Sequence, residues 1–207
     1  METLFRLRRY LQTPPAAPPK ASACELCGGD LVAGGHAHVV DIEKRRLMCT
    51  CRPCYLLFTH EGAAGGKFRS VPTRVLPLPG NALGGLSWDA LGVPVGMAFF
   101  LRQSPVERLI GFYPSPAGAT EAGLPDDAWN EMLAVNPTLA TLEPDTEALL
   151  VRRNRESVEG WIVPIDACYE LVGRVRRHWR GFDGGPEVWQ QIEEFFAGLH
   201  EREGSYA

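Results

Sequence analysis

The sequence lacks any long apolar run. Its best apolar stretch, Val93 to Leu101, has the length of a strand, whereas a membrane-spanning helix needs about 20 mainly apolar residues. The pair Arg8 and Arg9 leads into a proline and alanine run, not into the apolar segment of a secretion signal. We therefore expect a cytoplasmic protein without a membrane span.

Familiar catalytic motifs are also missing. The sequence has no G-x-S-x-G, no phosphate-binding G-x-x-x-x-G-K loop, no H-E-x-x-H and no G-x-G-x-x-G. These absences do not exclude an enzyme, but they leave no reaction to name. The formal net charge is −4, and the segment from Cys24 to Arg69 carries six basic and five acidic residues. No strong phosphate-binding field is expected, which argues against nucleic acid as a partner.

The sequence is rich in turn residues, and its composition and hydrophobic pattern change along the chain. With 22 Gly and 17 Pro in 207 residues, short elements and an α+β fold are expected. Residues 2–11 have the spacing of a short amphipathic helix, and residues 12–23 form a Pro/Ala-rich linker. We predict three parts: residues 1–23, a cysteine-rich unit at 24–66, and a larger α+β domain at 67–207 with an antiparallel sheet.

Within the larger domain, period-two patterns predict a hairpin around Ser104-Pro105 and two further strands at 148–153 and 158–165. A helix is expected after Asp127, ending at Asn136-Pro137. Asp166 is predicted to cap a second helix, and Pro186 to open a third. The third helix carries an apolar stripe expected to face the core: Val188, Ile192, Phe195, Phe196 and Leu199.

Two Cys-x2-Cys pairs, Cys24/Cys27 and Cys51/Cys54, carry the clearest chemical signal. Each such turn directs two thiolates at one ion, and two turns complete the tetrahedral set that structural zinc prefers. Two strand-like segments lie between the pairs, as in a zinc ribbon or treble clef. About 40 residues cannot build a sufficient core alone, so a metal staple is expected. The sequence predicts a Zn²⁺ site with these four ligands.

Three alternatives stay open at this site. Iron is the competing metal, as in a rubredoxin-like electron carrier, because four thiolates do not select between zinc and iron. Cys49, two residues before Cys51, is either a small buried residue or an alternate ligand. His36 and His38 are expected to be exposed strand residues, although a histidine-rich treble clef also raises the idea of an HNH-like nuclease.

Three segments carry a resemblance to a family: CELCGGDL, the HAHVVD to CTCRPCY stretch, and WIVPIDACYELVGRVRRHWRGFDGGPEVWQQIEEFF. Their order resembles uncharacterised accessory proteins encoded with actinobacterial-type [NiFe] hydrogenases. The resemblance implies an accessory protein for hydrogenase assembly or operation, and no catalytic residue can be carried over from it. Together with the four-cysteine site and the missing catalytic motifs, it predicts a non-enzymatic, zinc-binding adaptor. It also implies a protein partner, with hydrogenase subunits as the candidates.

Overall fold

The computed structural model describes residues 23–31, 35–83, 86–125, 127–154 and 157–203. The fold is α+β with antiparallel sheets and helices at the C-terminal end, which confirms the predicted class. The predicted N-terminal helix at 2–11 and all of the linker except its last residue lie outside the described part. Among the described residues, no helix combines the length and apolar character that crossing a bilayer requires.

A three-stranded sheet forms around the cysteines. The predicted hairpin is present as β1 (His36–Asp41) and β2 (Arg46–Cys51), which pair antiparallel. A short helix, α1 (Arg52–Leu56), follows β2 directly. The third strand, β3 (Phe68–Ser70), pairs with the other side of β1, giving the order β2-β1-β3. The boundaries 24–66 and 67–207 stay predictions, but β3 places residues beyond 66 in the cysteine-rich sheet.

The second sheet has six strands in the order β4-β9-β8-β5-β6-β7. The hairpin predicted around Ser104-Pro105 is β5 to β6, and the two further predicted strands are β8 and β9. Prolines restrict β4 to two residues at the sheet edge, where a missing N–H donor is tolerated. The strand bounds are β4 (Leu76–Pro77), β5 (Met97–Gln103), β6 (Arg108–Ser115), β7 (Gly118–Ala122), β8 (Glu147–Asn154) and β9 (Ser157–Pro164).

Both faces of this sheet are covered, and alternate residues of β8 belong to two different cores. Leu150 packs under the C-terminal helices, whereas Leu149 packs on the opposite face with the loop segments before β5. This arrangement explains the unbroken apolar run at residues 148–151 within β8. The predicted stripe of the last helix is buried and confirmed. The helices are α2 (Ala128–Val135), α3 (Ile165–His178) and α4 (Gly185–Glu201), with 3₁₀ turns at Ala63–Gly66, Asp89–Leu91, Ser104–Val106 and Pro137–Thr141.

Strand β1 joins the two sheets because its successive side chains face opposite ways. Val39 belongs to a small core with Met48 and Tyr55. Val40 belongs to the large core beneath α3 and α4, together with Ile165 at the start of α3. The cysteine-rich sheet therefore packs against the N-terminal turn of α3 through ordinary apolar contacts.

Candidate metal centre

The structure brings the four predicted ligands together. The sulfur atoms of Cys24, Cys27, Cys51 and Cys54 all lie within 4.8 Å of one another, and those of Cys27 and Cys51 are 3.7 Å apart. Among the described residues, this is the one group of three or more His, Cys, Asp or Glu side chains with metal-binding spacing. Four thiols converging at this distance can bind a metal ion.

The first cysteine pair lies on a tight turn held by its own backbone. The Cys24 N–H donates to Gly29 O at 2.7 Å, and the Gly28 N–H donates to Cys24 O at 2.8 Å. Gly28 has φ +74°, a left-handed conformation that glycine adopts at little cost. A Cβ at Gly29 would lie only 3.4 Å from the Cys27 sulfur. The glycines after Cys27 therefore fit the turn, as the sequence predicts.

The second pair lies where β2 ends and α1 begins. Cys51 is the N-cap of α1, with Pro53 in its first turn, and Cys54 is buried one turn later. Proline suits this position because the first-turn N–H has no partner within the helix. The change from strand to helix turns both sulfurs toward the first pair.

The surroundings of Cys24 and Cys54 shift the pKa values of their thiols in opposite directions. Burial opposes ionisation of Cys24, but backbone N–H groups of Cys51, Cys27 and Leu26 donate to its sulfur and lower its pKa to about 6. Burial and side-chain hydrogen bonds with the other three cysteines raise the pKa of Cys54 to about 12. A metal ion would displace the remaining protons, since only thiolates bind it.

Glu25 attaches the first turn to the hairpin, an interaction that the sequence analysis did not identify. Its carboxylate accepts a hydrogen bond from the Cys49 N–H at 2.8 Å and pairs with Arg46, while its own N–H donates to Cys49 O at 3.0 Å. An acid between two ligands is a common exposed residue, so its position gave no signal for this role.

Cys49 does not join the four-sulfur group. Burial, with the nearby charges of Glu25 and Asp166, raises the pKa of its thiol, which disfavours the thiolate form that a metal ion binds. Its role as an alternate ligand stays a prediction. The sixth cysteine, Cys168, is fully buried in α3, and burial raises its pKa well above the ordinary value.

The two histidines before the second pair differ from each other. His36 is exposed, as expected. The side chain of His38 is only 19% exposed, and its Nδ1 lies 2.6 Å from Asp166 Oδ2. Asp166 was expected to cap α3, but α3 begins at Ile165 after Pro164, and no side chain caps it. The cap prediction is wrong because Asp166 lies inside the first turn and its carboxylate is paired with His38.

Comparison with known proteins gives a family but no activity. No curated protein and no solved structure matches the chain. A family model, described as a family of unknown function, matches residues 23–203, which include both sheets, all four described helices and the four clustered cysteines. The chain therefore belongs to the family of unknown function DUF5947.

Proposed function

We propose that the chain is a non-enzymatic, zinc-binding adaptor. The observation that carries this proposal is the closure of the metal site by the chain's own thiols. Four sulfurs lie within 4.8 Å of one another, enough to fill the tetrahedral shell of zinc, which would leave no position for a substrate. Catalytic zinc sites keep one position open, so a four-thiolate site is suited to a structural role.

Zinc is the proposed metal and iron the alternative. The four-sulfur geometry suits both, because ligand type and tetrahedral geometry are shared by structural zinc and rubredoxin-like iron. Elemental analysis of protein purified anaerobically from iron-replete cells distinguishes them. We expect one equivalent of zinc and a colourless protein. One equivalent of iron, with thiolate charge-transfer absorption in the visible range, would replace the adaptor with an electron carrier.

An adaptor needs a surface for its partner, and the loop between α3 and α4 offers one. Phe182 is fully exposed at 102%. The loop around it is held in shape: Trp179 Nε1–H donates to Gly181 O at 3.0 Å, and Trp189 Nε1–H donates to Asp183 O at 3.1 Å. An exposed aromatic on an ordered loop resembles the anchors that dominate protein interfaces. We propose Phe182 as the principal contact with the partner.

The proposed partner is a [NiFe] hydrogenase subunit. This choice is supported by the resemblance of the three sequence segments described above, one of which contains Phe182. Affinity purification of the tagged full-length protein from a hydrogenase-producing host tests it. We expect the subunit to copurify with the wild-type protein and with Val135→Ser, a control for another exposed apolar residue. Phe182→Ser should lose the subunit.

Absence of hydrogenase subunits from the wild-type eluate would overturn the choice of partner. Equal recovery with Phe182→Ser would instead overturn the choice of surface.

An HNH-like nuclease is the second candidate, because the His38–Asp166 pair could orient a general base. This candidate predicts DNA cleavage that depends on a divalent cation and is lost in His38→Ala. We expect no cleavage by the intact protein. Cleavage that His38→Ala abolishes would favour the nuclease over the adaptor.

A further inference from the structure

A second cluster of metal-binding groups lies on the same hairpin as the four cysteines. His36 and His38 alternate along β1, so both side chains point to one face of the sheet. Across the hairpin they are opposite Cys51 and Cys49, respectively. The two imidazole rings are 5.0 Å apart between centroids and nearly perpendicular. Two imidazoles that bind one ion at about 2.1 Å have their ring centres at a comparable separation.

Asp166 determines which ring nitrogen of His38 is available to bind a metal ion. An ionised carboxylate only accepts hydrogen bonds, so the contact of 2.6 Å assigns the proton to Nδ1 and leaves the Nε2 lone pair unprotonated in the neutral ring. Metal-binding histidines usually donate their other ring N–H to a carboxylate, which fixes the tautomer and raises the basicity of the ligand. His38 already has this carboxylate partner.

The histidines border a groove of about 420 Å³ between β1, β2 and the first turns of α3. Leu47, Ala167 and Tyr169 supply much of its wall. The positive and negative charges that face the groove nearly cancel. Asp166 pairs with His38, Glu170 pairs with Arg174 at 2.7 Å, and Arg202 contributes a positive charge. The groove thus gives solvent and small ligands access to both rings.

We propose that His36 and His38 bind a divalent transition-metal ion at an open site distinct from the four-cysteine centre. Imidazole ligands suit Ni²⁺, Cu²⁺ and Zn²⁺. Within the described part of the chain, the residues with metal-binding spacing do not include a third ligand for this ion. Its remaining positions are filled by water or by donors from another molecule. A site of this kind exchanges its metal, whereas the four-thiolate site retains its own.

Calorimetric titration of Ni²⁺ into the full-length protein tests the site, after elemental analysis has recorded the metal already bound. We expect one further equivalent, without the thiolate charge-transfer absorption that Ni²⁺ at the cysteines would give. His36→Ala and His38→Ala should each lose this equivalent over the range that saturates the wild-type protein. Asp166→Asn should weaken it by about 10- to 100-fold, the usual effect of removing an outer carboxylate.

His178→Ala is the matched control. Its side chain is 21% exposed, close to the 19% of His38, and its Nδ1 also lies near a carboxylate, 2.8 Å from Glu187 Oε1. Binding should be unchanged in this variant.

His38→Ala removes a contact with α3 and could loosen the fold. His36 is exposed, and no hydrogen bond to its side chain is found within the part of the chain that the structure describes, so His36→Ala gives the cleaner result. Absence of the further equivalent in the wild-type protein would overturn the proposal, as would its persistence in His36→Ala. Unchanged affinity in Asp166→Asn would overturn the orienting role of Asp166. None of these outcomes depends on the identity of the metal at the cysteines.

Discussion

Removing the metal from the four cysteines is expected to unfold the first cysteine turn while the six-stranded sheet stays folded. Ordering the nine residues 23–31 costs about 9–18 kcal/mol in backbone entropy. Five hydrogen bonds involving Cys24, Glu25 and Gly28 hold this turn, together with the three backbone N–H groups that donate to the Cys24 sulfur. At about 1 kcal/mol each, these eight bonds contribute about 8 kcal/mol. Zinc binding to four-ligand peptides contributes about 10–16 kcal/mol.

From these magnitudes, the free energy of ordering the turn is favourable with the ion bound and unfavourable without it. Taking central values, the entropy cost exceeds the hydrogen bonds by about 5 kcal/mol when the metal is absent. With the metal bound, the ordered turn is favoured, because the apparent binding free energy of about 10–16 kcal/mol already includes the cost of ordering the site. A preference of even about 5 kcal/mol corresponds to several thousandfold protection of the turn's amides from exchange. The protection should therefore vanish on chelation.

Amide hydrogen exchange under reducing conditions measures this change, in the metal-loaded protein and after treatment with a strong chelator. The informative amides are those of Cys24, Glu25 and Gly28, each of which donates within the turn or to β2. Leu149 and Leu150, completely buried in β8, are the internal control and should stay protected. Protected turn amides in protein shown by elemental analysis to be metal-free would refute the reasoning.

Three further predictions concern the metal site and two buried positions of the large sheet. Cys49→Ser should retain the full metal content and Cys51→Ser should lose at least half of it, as measured by elemental analysis; equal loss would make Cys49 a ligand. Gly160→Ala should destabilise the fold by about 1–3 kcal/mol in urea unfolding, because its Cβ would lie 2.2 Å from Ala82 Cβ, and Ala82→Gly should rescue it. Glu147→Ala removes a fully buried carboxylate from its arginine partner and should cost about 3 kcal/mol in the same assay; a loss below about 1 kcal/mol would contradict this.

The four cysteines could be predicted because their signal is local. Each pair is separated by two residues, and the hairpin between the pairs follows from alternating apolar residues and a polar turn. The stripe of α4 is local in the same sense, since helical periodicity selects the buried face whatever it packs against. Short-range rules therefore sufficed for the metal cluster and for most element types.

The relations between distant segments could not be predicted in this way. His38 and Asp166 are 128 residues apart, and no pattern in either segment indicates the other. From sequence, Asp166 has the features of a helix cap, and only the packing of β1 against α3 gives it a different partner. The pairing of β5 with β8 is of the same kind, because it joins strands separated by a hairpin, a helix and two turns.

The hairpin explains how a closed metal site and an open one could act together. Val40 holds β1 against the core beneath α3, while Val39 packs into the small core with Met48, the residue preceding Cys49. The position of Cys51 and the spacing of His36 and His38 are therefore set by the same two strands. On the proposals made above, zinc at the cysteines stiffens these strands and keeps the histidine pair in place for an exchangeable ion. A structural metal in this position contributes to function through the geometry of its neighbour, and needs no reactivity of its own.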